Sequence, residues 1–120
     1  MKLTIPIITI LSLCACTGSG HYDADDFDLV KLSSAVVQLF NIQTNRSRIE
    51  KKWWPSEIAE LNPESVRKSE QGIYIELNSF FVEESGLFIP APGTRVETGT
   101  HKEPYYRLLG NGIYSYHVTG

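Results

Sequence analysis

Pro63 separates two hydrophobic rhythms, and that change of period limits the fold more than any other feature of the chain. Before it, Leu29, Leu32, Val36 and Leu39 recur at three- and four-residue steps, flanked by Val30, Val37 and Phe40. This spacing predicts an amphipathic helix of about three to four turns that docks by one apolar stripe. After Pro63 the period falls to two: Ile73, Ile75 and Leu77 share one strand face, and Tyr74, Glu76 and Asn78 take the other. A helix of this kind beside strands of this kind implies an α+β fold, a small antiparallel sheet with helix packed on one face.

The remaining elements follow from turn and stop signals. Pro55 suits a first helical position and Ile58 with Leu61 makes one apolar face, so a second, short helix is expected over 55–61, ended by Asn62 and Pro63. Val66–Lys68 and Ile73–Leu77 read as a hairpin turning through Glu70, Gln71 and Gly72. Phe80–Glu83 and Leu87–Ile89 read as another, turning at Glu84, Ser85 and Gly86. Pro90 to Gly93 is a hard stop, Thr94–Thr98 a polar edge strand and Gly99–Pro104 an exposed loop. Tyr105–Leu109 and Ile113–Val118, joined by Gly110, Asn111 and Gly112, close a sheet of about four to six strands, mostly hairpins.

The chain has 120 residues, enough for one domain. Its formal charge of −3 argues against nucleic acid as a partner, since that binding rests on a basic surface that releases counterions. One basic cluster, Arg46, Arg48, Lys51 and Lys52, fits a solvated helix end or, alternatively, contact with anionic lipid headgroups.

Met1 and Lys2 precede a mostly apolar run, Leu3 to Leu13. As a helix it would reach about 16 Å, roughly half the hydrocarbon thickness of a bilayer, so it reads as an export signal and not as a permanent span. The run ends in Leu13-Cys14-Ala15-Cys16. This segment resembles the signal peptide of bacterial lipoproteins, in which an aliphatic residue, a tolerant position and a small residue precede the cysteine that takes the lipid. The resemblance implies cleavage between Ala15 and Cys16, a diacylglyceryl group on Cys16 Sγ and acylation of the new amino group. With Thr17 and not Asp next in the chain, it also implies sorting to the outer membrane, facing the periplasm. Cys14 fits worse as the modified residue, because Leu13 would then stand where a small side chain is needed. On this reading residues 1–15 are the signal peptide, 16–28 hold the lipidated cysteine and a flexible acidic tether, and 29–120 form a single globular α+β domain. Two or more acyl chains on Cys16 would make the attachment nearly permanent.

The stretch from Trp54 onward is similar to a pattern in small uncharacterised bacterial proteins: W-P-x-x-I-x-x-L-x-P-x-x-V, a G-I-Y-I strand, an F-V-E-E-x-G-L-F hairpin and a closing aromatic strand. That likeness implies no catalytic residues.

Catalytic groupings are weak. Ser85, His117 and Glu83 supply the residue types of a hydrolytic triad, but no nucleophile elbow surrounds them. Glu83 and Glu84 are adjacent and on a strand point to opposite faces, which does not suit a glycosidase pair. Zinc would need three or four convergent ligands, and the acidic run Asp23, Asp25, Asp26, Asp28 lacks the features of a calcium loop. Asp26 or Asp28 is better read as a helix N-cap. No catalytic residue, cofactor or metal is therefore expected. Trp53 and Trp54 suit core packing or stacking on a sugar, and Tyr74, Tyr105, Tyr106, Tyr114 and Tyr116 suit cross-strand packing or a partner-binding surface.

These readings converge on a lipid-anchored binding or scaffolding module with a protein partner. The alternatives are an immunity or inhibitor protein directed against an envelope-targeting enzyme, and an envelope hydrolase with an unidentified site.

Overall fold

A computed structural model describes residues 21–43, 46–99 and 101–119. Cys16, the leader and the first part of the expected tether lie outside the described residues.

Helix α1, Leu29–Phe40, begins where Asp28 Oδ1 accepts a hydrogen bond from the Lys31 N–H at 3.2 Å, one of the two aspartates expected to cap it. Its stripe buries Leu32, Ala35, Val36 and Leu39, while Val30 and Val37 stay exposed. A 3-10 turn over Lys51–Trp53 leads to α2, Ser56–Ala59, which buries Ile58. This helix is shorter than 55–61, because Asn62 adopts a left-handed φ of 54° and turns the chain into the first strand.

Five antiparallel strands follow: β1 Ser65–Lys68, β2 Gly72–Phe80, β3 Glu83–Pro90, β4 Tyr105–Gly110 and β5 Ile113–Val118, in the spatial order β1-β2-β3-β5-β4. Strand alternation gives the sheet two different faces. Val66, Ile73, Ile75, Leu87, Ile89 and Ile113 form an aliphatic core with α1, Ile49 and Ile58. Arg67, Tyr74, Phe88, Tyr106, Tyr114 and Tyr116 fall on the opposite, outer face, as the pairings Arg67↔Tyr74, Tyr74↔Phe88, Phe88↔Tyr114 and Tyr106↔Tyr116 require.

The two edges of the sheet also differ. The outer edge of β1 is covered by residues 47–49, through Ile49 N–H to Val66 O at 2.8 Å and Lys68 N–H to Ser47 O at 2.6 Å. Along β4, Gly99 N–H to Tyr106 O at 3.4 Å is the one backbone bond to the outer edge among the described residues.

Two expectations about the strands change. The β2–β3 hairpin turns at Phe81 and Val82, not at Glu84–Gly86, which lie inside β3. Gly86 is required there by close approach: β2 bulges between Glu76 and Asn78, and a Cβ on Gly86 would run into the Ile75 carbonyl oxygen. Among the described residues Thr94–Thr98 pairs with no strand and belongs to loop segments 91–99 and 101–104, which cross the outer face beside Phe88 and Tyr106.

His21–Asp28, assigned to a tether from composition, lies against β4 and β5 on the helix side. The Ser115 hydroxyl accepts the Tyr22 N–H at 3.0 Å and sits 2.9 Å from His21 Nδ1, and Arg107 donates to Tyr22 O at 2.6 Å and Asp23 Oδ1 at 3.0 Å.

Candidate functional site

The outer face carries the densest side-chain constellation. At its centre the Glu84 carboxylate accepts hydrogen bonds from Arg67 and from the Tyr116 hydroxyl. Tyr116, opposite Gly86 in the register, is buried, with its ring edge-on to Tyr74 at 5.0 Å. The Arg67 guanidinium lies over the Tyr74 ring at 5.6 Å. From Tyr74 the cluster continues to Phe88 at 4.5 Å, Tyr106 at 5.1 Å from Phe88, and Tyr114 at 6.4 Å from Tyr106. The Tyr74 and Tyr106 hydroxyls meet at 2.5 Å.

This packing perturbs its ionisable groups in consistent directions. Burial, then the hydrogen bond and charge of Glu84, push the Tyr116 phenol well above its ordinary range. Burial, then the bond with Tyr74, do the same to Tyr106. Burial alone would lower the Arg67 pKa, but Glu84, with help from Tyr116 and Glu76, raises it on balance. Tyr106 and Tyr116 are thus held protonated, beside an ion pair engaged within the sheet.

Beside the cluster, Phe88 and Tyr106 floor a cleft of about 290 Å³ whose rim is supplied by Gln71, Arg95, Glu97 and Lys102. Next to the cleft is the open edge of β4. Because Tyr106 O points outward to Gly99, strand alternation turns the N–H and C=O of Leu108 to the same edge. The Leu108 side chain is 56% exposed on the face that holds Tyr106 and Tyr114.

The residues weighed for chemistry are dispersed or engaged elsewhere. Ser85 lies across the ladder from His117, yet no hydrogen bond joins them; the His117 ring faces His21 at 6.1 Å and Tyr105 at 6.5 Å. The serine that does meet a histidine is Ser115, which is fully buried and closed to substrate. Glu84 is tied to Arg67 and Tyr116, while Glu83 is exposed at the hairpin end. Among the described residues no group of three or more His, Cys, Asp or Glu side chains converges as a metal site. Trp54 is half-buried and donates Nε1–H to Ile49 O at 3.0 Å, whereas Trp53 is exposed beneath Lys52. Arg46, Arg48 and Trp53 line a separate hollow of about 250 Å³. Cys16 lies outside the described residues.

The sequence pointed to the tyrosines, weighed Glu84 only beside Glu83 as a glycosidase pair, and did not point to Arg67, Phe88 or Leu108. Their common signal is phase: Arg67, Tyr74, Phe88, Tyr106, Leu108, Tyr114 and Tyr116 occupy the strand positions that alternate with the aliphatic ones. Comparison with family models, with curated proteins and with solved structures finds no match to this chain.

Proposed function

We propose that this chain is a lipoprotein of the bacterial cell envelope, anchored through Cys16 to the periplasmic side of the outer membrane, whose domain binds a partner protein. The observation that carries the binding reading is the β4 edge: a Leu108 backbone that pairs with nothing on its outer side among the described residues, beside an aromatic cleft of mixed rim charge. Such an edge accepts an extended peptide as an added strand, with main-chain hydrogen bonds giving affinity and the neighbouring cleft taking alternate side chains. The anchor reading rests on the Leu13-Cys14-Ala15-Cys16 pattern and the apolar run before it.

A photo-crosslinking side chain at Tyr114, next to Leu108 on the same face, tests the binding site in intact envelopes. It should capture one defined protein, and Leu108→Lys, which puts a charge on the edge, should abolish the capture without unfolding the domain. Capture that survives Leu108→Lys refutes the edge as the site. For the anchor, Cys16→Ser should abolish acyl labelling and Cys14→Ser should leave it intact; equal loss in both refutes the assignment of Cys16.

A further inference from the structure

The β2–β3 hairpin ends in Phe80, Phe81 and Val82, which are 66%, 89% and 68% exposed. The Phe80 and Phe81 rings meet edge-on at 4.4 Å, so the tip presents one apolar surface. A two-residue turn of this kind is ordinarily built with glycine or asparagine, because a corner residue needs positive φ. Here Phe81 holds φ 58°, a conformation that a bulky side chain adopts under strain. Neither burial nor turn preference accounts for a phenylalanine at this corner, and runs of exposed apolar residues are rare unless they meet something.

The tip also projects past its neighbours. Pairing of β1 to β2 ends at Ser65↔Glu76 and pairing of β5 to β3 ends at Glu84↔Val118, so residues 80–83 stand beyond both flanking strands. The described chain enters the domain from that same end. His21 meets Ser115 and His117, Asp23 meets Arg107, and Leu29 lies beside Gly110, so the polypeptide runs from the Val118 end of β5 toward its Ile113 end. His21 follows Cys16 by five residues, a reach of at most about 18 Å. Phe81 stands four residues beyond the Ser85↔His117 pair, about 13 Å along the strand. A lipid on Cys16 therefore keeps the tip within reach of the bilayer.

The geometry points to the bilayer surface as the occupant of this tip: Phe80, Phe81 and Val82 enter the interfacial layer of the leaflet that holds the anchor. This rests on the lipidation of Cys16 proposed above. The charge around the tip selects the headgroups. Glu83 adjoins it, Glu64 holds the Ser79 N–H and hydroxyl at 3.0 and 2.7 Å, and the nearby Arg67 is engaged by Glu84. An acidic collar is repelled by anionic lipid and attracted by the ammonium group of zwitterionic lipid. The tip therefore fits a zwitterionic surface, and it supplies a second point of contact that fixes the orientation of the domain.

The test uses the lipidated full-length product in a Cys14→Ser background, with Val82→Cys carrying an environment-sensitive fluorophore and Glu70→Cys, in the turn at the other end of the sheet, as the control. The protein is reconstituted into vesicles of phosphatidylethanolamine and phosphatidylcholine and floated on a density gradient. In floated protein the label at 82 should shift to the blue, brighten several-fold and be quenched by lipids carrying a quencher at the headgroup level. The label at 70 should not respond. Phe80→Ser should weaken the response at 82 while flotation is retained, and adding phosphatidylglycerol should weaken it further. Flotation with a water-like label at 82 overturns the proposal and spares the anchor. So does a label that becomes shielded only when envelope proteins are added, since that outcome assigns the tip to a protein socket. Failure to float refutes the anchor, and this proposal with it.

Discussion

Tyr116→Phe asks whether the hydrogen bonds of Glu84 hold the outer face together. Tyr116 is 1% exposed, and its hydroxyl donates to a carboxylate that also binds Arg67. The substitution removes one oxygen and keeps the ring, including its edge-on contact with Tyr74. A hydrogen bond to a charged partner contributes about 1.5–3 kcal/mol. The Glu84 side chain is 24% exposed and can regain water while keeping Arg67, so the expected loss lies toward the lower end, about 1.5–2 kcal/mol. Glu84→Ala should be worse. It leaves a buried hydroxyl without its acceptor and removes the counter-ion of Arg67, whose Nε is already buried without a hydrogen-bond partner. Partial solvation of Arg67 tempers that cost to about 2–3 kcal/mol. Urea unfolding followed by tryptophan fluorescence, with a slope of about 1–1.5 kcal/mol per molar for a domain this small, should show the midpoint falling by about 1 M and about 2 M respectively. The double mutant should fall short of the sum by about 1 kcal/mol, because the two groups share one bond. An unchanged midpoint for Tyr116→Phe, or a Glu84→Ala protein more stable than Tyr116→Phe, refutes the network.

Gly86→Ala should cost at least about 2 kcal/mol, since its Cβ meets the Ile75 carbonyl and β2 must move; a wild-type midpoint in the same urea titration contradicts the close approach. His21 is held neutral below its ordinary pKa of 6.5 by burial, then by Arg107 and His117. Below pH 6.5 the unfolded state therefore binds the extra proton, so this contribution is complete above that pH and shrinks as the pH falls. The protection factor of the Tyr22 amide, taken against the intrinsic exchange rate at each pH, should fall over that window, and His21→Gln should remove that pH dependence. Tyr106 and Tyr116 stay protonated above their ordinary pKa of 10. The folded state then binds more protons than the unfolded, stability falls as the pH rises past 10, and phenolate absorbance from these two residues should appear only with unfolding.

The elements that sequence shows clearly are those whose period and punctuation agree. The α1 stripe, the Gly110–Gly112 reversal and the alternation of β2 each satisfy local preference and tertiary packing together, so local signals suffice. The misplaced hairpin turn arises where they conflict. Gly86 carries a turn signal but serves a bulge, while the true corner at Phe81 carries no turn signal, because its side chain is chosen against the turn's own preference. His21–Asp28 misleads for a related reason. Its composition is that of a solvated segment, but Ser115 and Arg107, both far away in sequence, fix its backbone. The outer-face cluster was half legible: the tyrosines signal a surface, but the bond between Glu84 and Tyr116 depends on the β3–β5 register, which no local pattern specifies.

A sheet has two faces to cover, and this chain has helix for one. The inner face is closed by α1 and α2 with aliphatic side chains. Among the described residues the outer face receives only the loop segments 91–99 and 101–104, and it is built instead from phenols and an ion pair that satisfy one another within the sheet. Those bonds let aromatic surface remain rigid while partly open to water, which is the condition for a recognition surface that does not have to be ordered on binding. The loop is the replaceable part. Among the described residues its backbone meets β4 through one long bond, Gly99 N–H to Tyr106 O at 3.4 Å, on the same edge that Leu108 would offer to an incoming strand. A segment adding to β4 along more than a residue or two must take over Tyr106 O, so binding at Leu108 and release of Gly99 are one event. Amide exchange at Gly99 should therefore rise in the complex while exchange at Leu108 falls; protection of both at once means that the partner docks elsewhere.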